Sequence, residues 1–359
     1  MTTAAVAVPA ASRDLDRHPR GLYVLFATEM WERFSFYTML ALFTLYLQNP
    51  TEGFGWTRNR ATRLYALYLA LVYFSPLVGG WVADKKLGYR RSVMIGGLFF
   101  MAGHLLLSFR SVPIMYIALL CLVVGNGFFK PNVSAMVGKL YPEGSHLKDR
   151  AYNIFYMGIN IGAFLAPVVA EVVRQWHGFH PAFAVAAGGM VISVFVLWRF
   201  KKHVAGVDVG TAASGPKGAE PEAALATVDA PPPAGTSIPM TPGGMFAAEA
   251  RKRAVAIDAV PDKTRIGALI VVFLIVVVFW MAFHQNGATW TYFANDNTDW
   301  TASRVVPVIV KVFTLGLLKT DNVSGVISNA INPFWVIALT WPLIAFWGWL
   351  DRRGKEPST

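Results

Sequence analysis

Long apolar runs recur along this chain, and they constrain its fold more than any other feature. Several of them reach the roughly 18–20 residues that a helix needs to cross the hydrocarbon core of a bilayer. Hydrophobic residues make up 55% of the 359 positions and charged residues only 15%, whereas a soluble domain has about 25% charged residues. The chain is therefore predicted to be an all-α protein that crosses the membrane many times.

Eight spanning helices are predicted from these runs. Their limits are 22–47, 62–83, 92–109, 113–138, 151–173, 181–199, 266–294 and 333–350. Residues 204–250 are rich in Ala, Gly and Pro, and such a segment cannot bury enough apolar surface to fold alone. The expected organisation is a cytoplasmic tail, a six-helix bundle, a disordered cytoplasmic linker and a partial second bundle of two helices, at 1–20, 21–200, 201–265 and 266–359 respectively.

Lysine and arginine concentrate in every second connection between the predicted helices. Positive residues favour the cytoplasmic side, so the N-terminus is predicted to be cytoplasmic. This topology also accounts for the net charge of +11, and we expect no nucleic-acid partner. Residues 1–20 contain no apolar stretch, which predicts that no signal peptide is cleaved. The arginines at 58–63 run against the pattern on the predicted outer side.

The first predicted helix carries Glu29, Glu32 and Arg33 several residues inside its apolar run. Positions i, i+3 and i+4 lie on one face of a helix, so the three charges are expected to be neighbours. Charges at this depth cost several kcal/mol unless they are paired or hydrated, and they usually mark substrate or ion pathways. The alternative is that they lie at the membrane interface and extend outward.

Lys130 is the expected partner of these charges, because it lies well inside the fourth predicted helix. Gly127 and Pro131 flank it and predict a bend there. The hypothesis is a network of Glu29, Glu32, Arg33 and Lys130, in which protonation of one glutamate frees a cation to bind a carboxylate. A purely structural salt bridge is the alternative.

Other polar and aromatic residues on the predicted helices suit a small zwitterion with several hydrogen-bonding groups. They are Tyr37, Tyr73, Asn153, Asn160, Trp280, His284 and Gln285. In the connection after the second helix, Asp84 faces several cations, among them Arg90 and Arg91. These charges are candidates for a cytoplasmic gate, and a loop that follows the positive-inside rule is the alternative.

Motifs of several enzyme classes are missing from the sequence. It has no phosphate-binding P-loop, no serine elbow and no zinc-helix signature, and its one cysteine, Cys121, lies in an apolar run. His177 and His180 are three apart but have no acidic or cysteine neighbour. We therefore expect neither an enzyme nor a bound metal or cofactor.

Four sequence motifs together resemble those of the proton-dependent oligopeptide transporter family of the major facilitator superfamily. Residues 29–37, Glu-Met-Trp-Glu-Arg-Phe-Ser-Phe-Tyr, resemble its ExxERFxYY motif. The runs from Phe129 to Ser134 and from Phe155 to Gly162 are similar to its second signature. Phe279-Trp280 with Gln285 resembles its motif on helix seven, and Ile331-Asn332-Pro333 the start of its helix eight.

The resemblance implies a twelve-helix symporter of the inner membrane that takes up di- and tripeptides with protons. It assigns proton coupling and carboxylate binding to Glu29, Glu32, Arg33 and Lys130. Contact with the peptide is assigned to Tyr37, Tyr73 and Asn160, and the polar residues of helix seven complete the predicted site. We expect lipid, protons and a small peptide as partners, and a monomer.

The sequence departs from the family pattern at three points. Phe36 replaces the first tyrosine of the YY pair, and His284 stands where an acid precedes Gln285. A histidine changes charge near neutral pH, so it alters the coupling chemistry. Four helices of the family lie beyond residue 359, and the eight predicted helices alone are expected not to transport. The alternatives are a transporter of another small anionic or zwitterionic solute, and a truncated membrane protein that does not transport.

Overall fold

The computed structural model describes residues 17–142, 145, 147–207, 261–299, 308, 311–312, 314–319, 323–351 and 353. Most of the predicted linker and of the predicted N-terminal tail lies outside the described residues. Residues 300–307, 309–310, 313 and 320–322 of the predicted outer connection at 295–332 also lie outside the described residues.

Helices dominate the described part of the chain. They are α1 (Arg20–Gln48), α2 (Arg58–Val82), α3 (Tyr89–Leu106), α4 (Val112–Lys139), α5 (Leu147–His177), α6 (Phe179–Arg199), α7 (Asp262–Phe283), α8 (Thr291–Asn297) and α9 (Ile331–Asp351). Short 3-10 helices follow α6 at Lys201–Val207 and precede α9 at Gly325–Ala330. The first six agree with the predicted helices to within four residues at each end.

Six helical stretches of the described residues are long and apolar enough to cross a membrane. They include α2, α4, α5 and α6, and also Lys263–Asn297 and Gly325–Phe346. α1 is not among them, although it is 29 residues long, and it is the helix that carries Glu29, Glu32 and Arg33.

The predicted seventh helix is not continuous, which corrects the sequence-based limits of 266–294. α7 ends at Phe283, a turn follows at His284 and Gln285, and a π-helical turn, Asn286–Trp290, leads into α8. Gly287 lies in this turn, and glycine is a poor helix former. The hydroxyl of Thr44 on α1 donates to the Gly287 carbonyl at 3.1 Å, which satisfies an oxygen outside the regular helix. α7 belongs to a different compact unit from the one that holds the first six helices.

Backbones of neighbouring helices touch at glycines in the six-helix bundle. α1 packs against α5 and α6, while α4 packs against both α2 and α3. A Cβ added at Gly96 of α3 would lie 2.7 Å from the Gly125 carbonyl oxygen and 2.7 Å from the Phe129 nitrogen of α4. Small residues allow such close approach of membrane helices, so glycines set the distance between α3 and α4.

Gly96→Ala is expected to lower the free energy of unfolding by about 1–3 kcal/mol, because the new methyl group overlaps backbone atoms that cannot move aside. The measurement is the melting temperature of the purified protein in detergent. Gly188→Ala is the matched control, since a Cβ at Gly188 of α6 meets no atom within 4 Å. That variant should melt at or above the wild-type temperature, and equal melting of the two variants would refute the packing argument.

Candidate substrate and proton site

The predicted charges of α1 form one buried cluster. Glu29, Glu32 and Arg33 are 3%, 0% and 4% exposed. The Arg33 guanidinium donates to both carboxylate oxygens of Glu32, with Nη2 to Oε1 at 2.7 Å, and its Nε lies 3.1 Å from Glu29 Oε1. The helical spacing therefore brings the three groups together as predicted.

The two glutamates differ in how they are held. Glu32 is bound through both oxygens, while Oε2 of Glu29 has no hydrogen-bond partner within the described part of the protein. Arg33 also lies over the Phe36 ring at 4.9 Å, so the phenylalanine that replaces a family tyrosine still contacts the cluster. The cluster thus has one anchored carboxylate and one with an oxygen available.

Lys130 lies beside this cluster and not in it. Its ammonium is 5.0 Å from the centre of the Tyr73 ring. It is near enough to act electrostatically on Glu29 and Glu32, but no ion pair joins it to either described glutamate. The predicted four-member network is therefore a three-member cluster with Lys130 adjacent, because the ammonium lies over the Tyr73 ring of α2 instead.

Of the predicted peptide contacts, Tyr37 and Tyr73 lie near the cluster. Tyr37 interacts electrostatically with Arg33 and Glu32, and Tyr73 with Tyr37. Asn160 is buried and donates to the Tyr156 carbonyl of its own helix at 2.9 Å, as a polar side chain does inside a membrane helix when no other acceptor is used.

Tyr68 was not predicted from the sequence, although it belongs to the same region. It is 2% exposed, its hydroxyl has no hydrogen-bond partner among the described residues, and Glu32 and Arg33 act on it electrostatically. Tyr68 lies five residues before Tyr73, about 140° around α2, so helical periodicity gave no signal that the two tyrosines are neighbours. The predicted site therefore has a buried hydroxyl beyond those of Tyr37 and Tyr73.

The predicted residues of the seventh helix lie in the other compact unit. The rings of Trp280 and His284 stack with centroids 5.2 Å apart, and His284 with Gln285 forms the turn that ends α7. Their role at the site of α1 and α4 stays a prediction.

The predicted cytoplasmic gate residues lie at the end of α2 and the start of α3. Asp84 is in the π-helical turn Ala83–Leu87 and interacts with the Tyr89 hydroxyl. Arg90 and Arg91 belong to the first turn of α3. Their gating role also stays a prediction.

A buried acid in α5 was missed in the sequence. Glu171 is fully buried and accepts hydrogen bonds from Arg174 Nε and Nη2, both at 2.8 Å. It also accepts the backbone N–H and the hydroxyl of Ser324, at 2.8 and 2.7 Å. An acid inside an apolar run with an arginine three residues later was the signal. We call this set, Glu171, Arg174 and Ser324, the outer contact.

Further bonds reinforce the outer contact. The Gln175 side chain bonds both the N–H and the carbonyl of Lys319, at 2.9 and 3.2 Å. Arg58, one of the arginines that ran against the charge rule, pairs with Asp296 of α8 at 2.6 Å and lies over the Tyr292 ring at 4.7 Å. The N-terminal end of α2 and the C-terminal end of α5, which lie on the predicted outer side, are thus bonded to the segments around α8 and before α9.

The described helices form a membrane-spanning bundle with an ion cluster buried among them, and likeness to solved transporters identifies the fold as that of the major facilitator type. The solved peptide transporter POT in complex with sulfate has this fold, with a TM-score of 0.65 and 27% identity over 96% of this chain and 71% of that one. A tetrameric crystal structure of PepTSo2 is similar, with a TM-score of 0.66 and 26% identity over 92% of this chain and 71% of that one.

The sequence relatives point to one family. The POT family profile matches residues 90–211. The peptide transporter YePEPT of Yersinia enterocolitica is 31% identical, over 95% of this chain and 70% of its own length. The chain belongs to the POT family.

Two further relatives have higher identity over about half of the chain. The uncharacterized transporter YclF of Bacillus subtilis is 43% identical over 189 residues, which are 51% of this chain. A di-/tripeptide transporter of Lactococcus lactis is 41% identical over 185 residues, or 50% of this chain. The chain covers only 38% and 37% of the lengths of these two relatives.

Proposed function

We propose that the complete protein carries di- and tripeptides into the cell together with protons. The observation that carries this proposal is the buried cluster of Glu29, Glu32 and Arg33 with Lys130 beside it. The relatives named as peptide transporters support the substrate class. Protons are the proposed coupling ion, because the cluster holds two carboxylates whose charges are balanced by two cations.

Protonation of one glutamate would leave this site with an excess positive charge. Oε2 of Glu29 has no donor among the described residues, so a proton can be taken up there without breaking an existing hydrogen bond. Lys130 is bound to neither acid, and its ammonium, with the neighbouring tyrosines, is then available for the carboxylate of a peptide. Proton uptake and peptide binding are linked in this way.

The decisive experiment is uptake of labelled dialanine by proteoliposomes that contain the complete protein. An inward proton gradient should raise uptake at least about tenfold over the same vesicles without a gradient, a change equivalent to about 1.4 kcal/mol. Residues 1–359 alone are measured in parallel, and we expect them not to transport. Gradient-independent uptake would contradict proton coupling, and no uptake would contradict peptide transport.

The proposed setting is the cytoplasmic membrane, with the N-terminus inside and the protein as a monomer. The positive-inside pattern supports this orientation. The tetramer in the crystal structure of PepTSo2 is the alternative assembly, and mass measurement of the detergent complex by light scattering distinguishes the two. The gate role of Asp84, Arg90 and Arg91 belongs to the same proposal.

A second candidate is transport of another small anionic or zwitterionic solute. This candidate is favoured by His284, which stands where the family has an acid and so changes the charge of the predicted site. A relative with 29% identity was solved in complex with alafosfalin, so ligands other than natural peptides are worth including. Competition of labelled dialanine by a panel of unlabelled peptides and amino acids decides between the two. A non-transporting protein would bind dialanine without any flux.

Opening of the outer contact is expected to be required for uptake. A Gln175→Cys and Lys319→Cys pair, placed in a Cys121→Ser background, should be joined by a short thiol crosslinker because the two residues are bonded. Crosslinking should reduce uptake at least about tenfold, since joined segments cannot separate, and a reducible crosslinker should allow recovery. Each single cysteine variant is the control, and undiminished uptake by the crosslinked pair would contradict this role.

A further inference from the structure

Pro76 lies inside α2 and leaves one carbonyl of that helix without its usual donor. Proline has no backbone N–H, so the carbonyl four residues earlier, that of Val72, cannot be bonded within the helix ladder. Val72 is 1% exposed, and an unsatisfied carbonyl at membrane depth is destabilising by several kcal/mol. The structure must satisfy this oxygen by another route.

Asn126 of α4 supplies the donor. Its side-chain nitrogen lies 2.7 Å from the Val72 carbonyl oxygen, and Asn126 is itself 1% exposed. The Ser75 hydroxyl donates to the same oxygen at 3.1 Å. The Asn126 bond is the polar link between α2 and α4 at this depth, and we call it the α2–α4 bond.

α4 is arranged in the same way as α2. Pro131 lies inside α4 and leaves the Gly127 carbonyl without its helical donor. This carbonyl faces Gly79 of α2, where an added Cβ would overlap it. Each helix therefore directs the carbonyl freed by its proline at the other helix, which fixes the position of α2 against α4.

The α2–α4 bond is next to the candidate site on both helices. Val72 precedes Tyr73 directly, and Asn126 precedes Lys130 by four residues, about one helical turn. Residues four apart lie on the same face, so Asn126 and Lys130 share a face of α4. The ammonium of Lys130 is 5.0 Å from the Tyr73 ring centre, a contact that depends on the relative position of the two helices.

We propose that Asn126 is a positioning residue, whose bond to the Val72 carbonyl places Lys130 over Tyr73 for the binding of a peptide carboxylate. The position of Lys130 over Tyr73 depends only on the packing of α2 against α4, whereas its effect on peptide binding rests on the proposed function. Asn126 acts through α2 and through Lys130.

The test uses the complete protein with Asn126→Leu, which keeps the side-chain size and removes the donor. The KM for dialanine should rise about tenfold, as expected when a charged contact is misplaced. The second readout is the carbon chemical shift of the Nζ-methyl groups of reductively methylated Lys130. In the wild-type protein the ring current of Tyr73 changes this chemical shift, and in Asn126→Leu the signal should move toward the chemical shift of exposed lysines. The Lys130 signal is assigned by its loss in Lys130→Arg.

A double variant separates positioning from folding. Pro76→Ala returns an N–H to α2, so that in Pro76→Ala/Asn126→Leu the Val72 carbonyl is satisfied within its own helix. Asn126→Leu alone should lower the melting temperature, because only the longer bond from the Ser75 hydroxyl then satisfies the Val72 carbonyl. In the double variant we expect the melting temperature to return to the wild-type value, while the KM and the Lys130 signal stay changed. Recovery of all three in the double variant would show a structural role only and overturn the proposal.

Thr44→Val is the matched control, since it removes another buried side-chain bond to a carbonyl of a neighbouring segment, at 3.1 Å, and Thr44 lies about 16 Å along α1 from Arg33. It should lower stability but leave the KM within about twofold and the Lys130 signal unmoved. An unmoved Lys130 signal in Asn126→Leu overturns the placement. If the wild-type protein takes up no dialanine, the proposed function fails, and the NMR signal still decides the placement.

Discussion

Replacing Glu32 by glutamine is expected to abolish proton-driven uptake of dialanine while exchange of internal for external dialanine continues. Glutamine keeps the size of the side chain, and its carbonyl oxygen can still accept a hydrogen bond from Arg33, but the cluster then has one carboxylate against two cations. The variant cluster therefore has, at every pH, the net charge that the wild-type cluster has only when one glutamate is protonated. Driven uptake should fall at least about a hundredfold, equivalent to about 2.7 kcal/mol.

The measurement is uptake and counterflow in the same proteoliposomes. Asp149→Asn is the control, because Asp149 is an exposed carboxylate in the first turn of α5, and it should retain wild-type uptake. Glu29→Gln should also lose driven uptake, while the bonds between Arg33 and Glu32 are kept. Full proton-driven uptake by Glu32→Gln would contradict the coupling assignment.

The second large effect concerns stability. Arg33→Met removes the cation that binds Glu32 through both oxygens and contacts Glu29, so two fully buried carboxylates lose their ion pair. Breaking a buried pair by removing one partner typically destabilises a protein by about 3–5 kcal/mol. The melting temperature in detergent should fall accordingly, and Arg150→Met, at an exposed position of α5, should not change it.

A triple variant tests the reason for this loss. Arg33→Met with Glu29→Gln and Glu32→Gln has no buried charge left in α1, and replacement of a whole buried ion cluster by neutral groups is often neutral or stabilising. We expect it to regain most of the lost stability and no uptake. If the triple variant melts as low as Arg33→Met, the effect comes from lost packing of the arginine and not from unpaired charge.

The sequence was sufficient for those parts of the fold and site that depend on neighbours along the chain. Apolar runs located the first six helices, and the spacing of Glu29, Glu32 and Arg33 predicted one face because a helix brings i, i+3 and i+4 together. The interruption at His284 was missed, since a run of polar residues beside Gly287 still fits a helical pattern and its break is stabilised by Thr44 from α1.

Contacts between distant segments could not be read from the sequence. Glu171 and Ser324 are 153 positions apart, and Asn126 and Val72 are 54 apart. Helical periodicity gives the face of a residue but not the depth at which two helices meet. The same reason explains why Lys130 was expected in contact with the glutamates, when the packing of α2 against α4 holds it over Tyr73 instead.

The local pairing in α1 has a consequence for biosynthesis. Lys130 follows Arg33 by 97 positions, so at about 5–20 residues per second it is made roughly 5–20 s later. During that interval α1 must enter the bilayer without the second cation, and each isolated charge at a helix centre opposes insertion by about 2.5–3.5 kcal/mol. Because Arg33 contacts both glutamates within the helix itself, the nascent segment carries half of its charge compensation before any other helix exists.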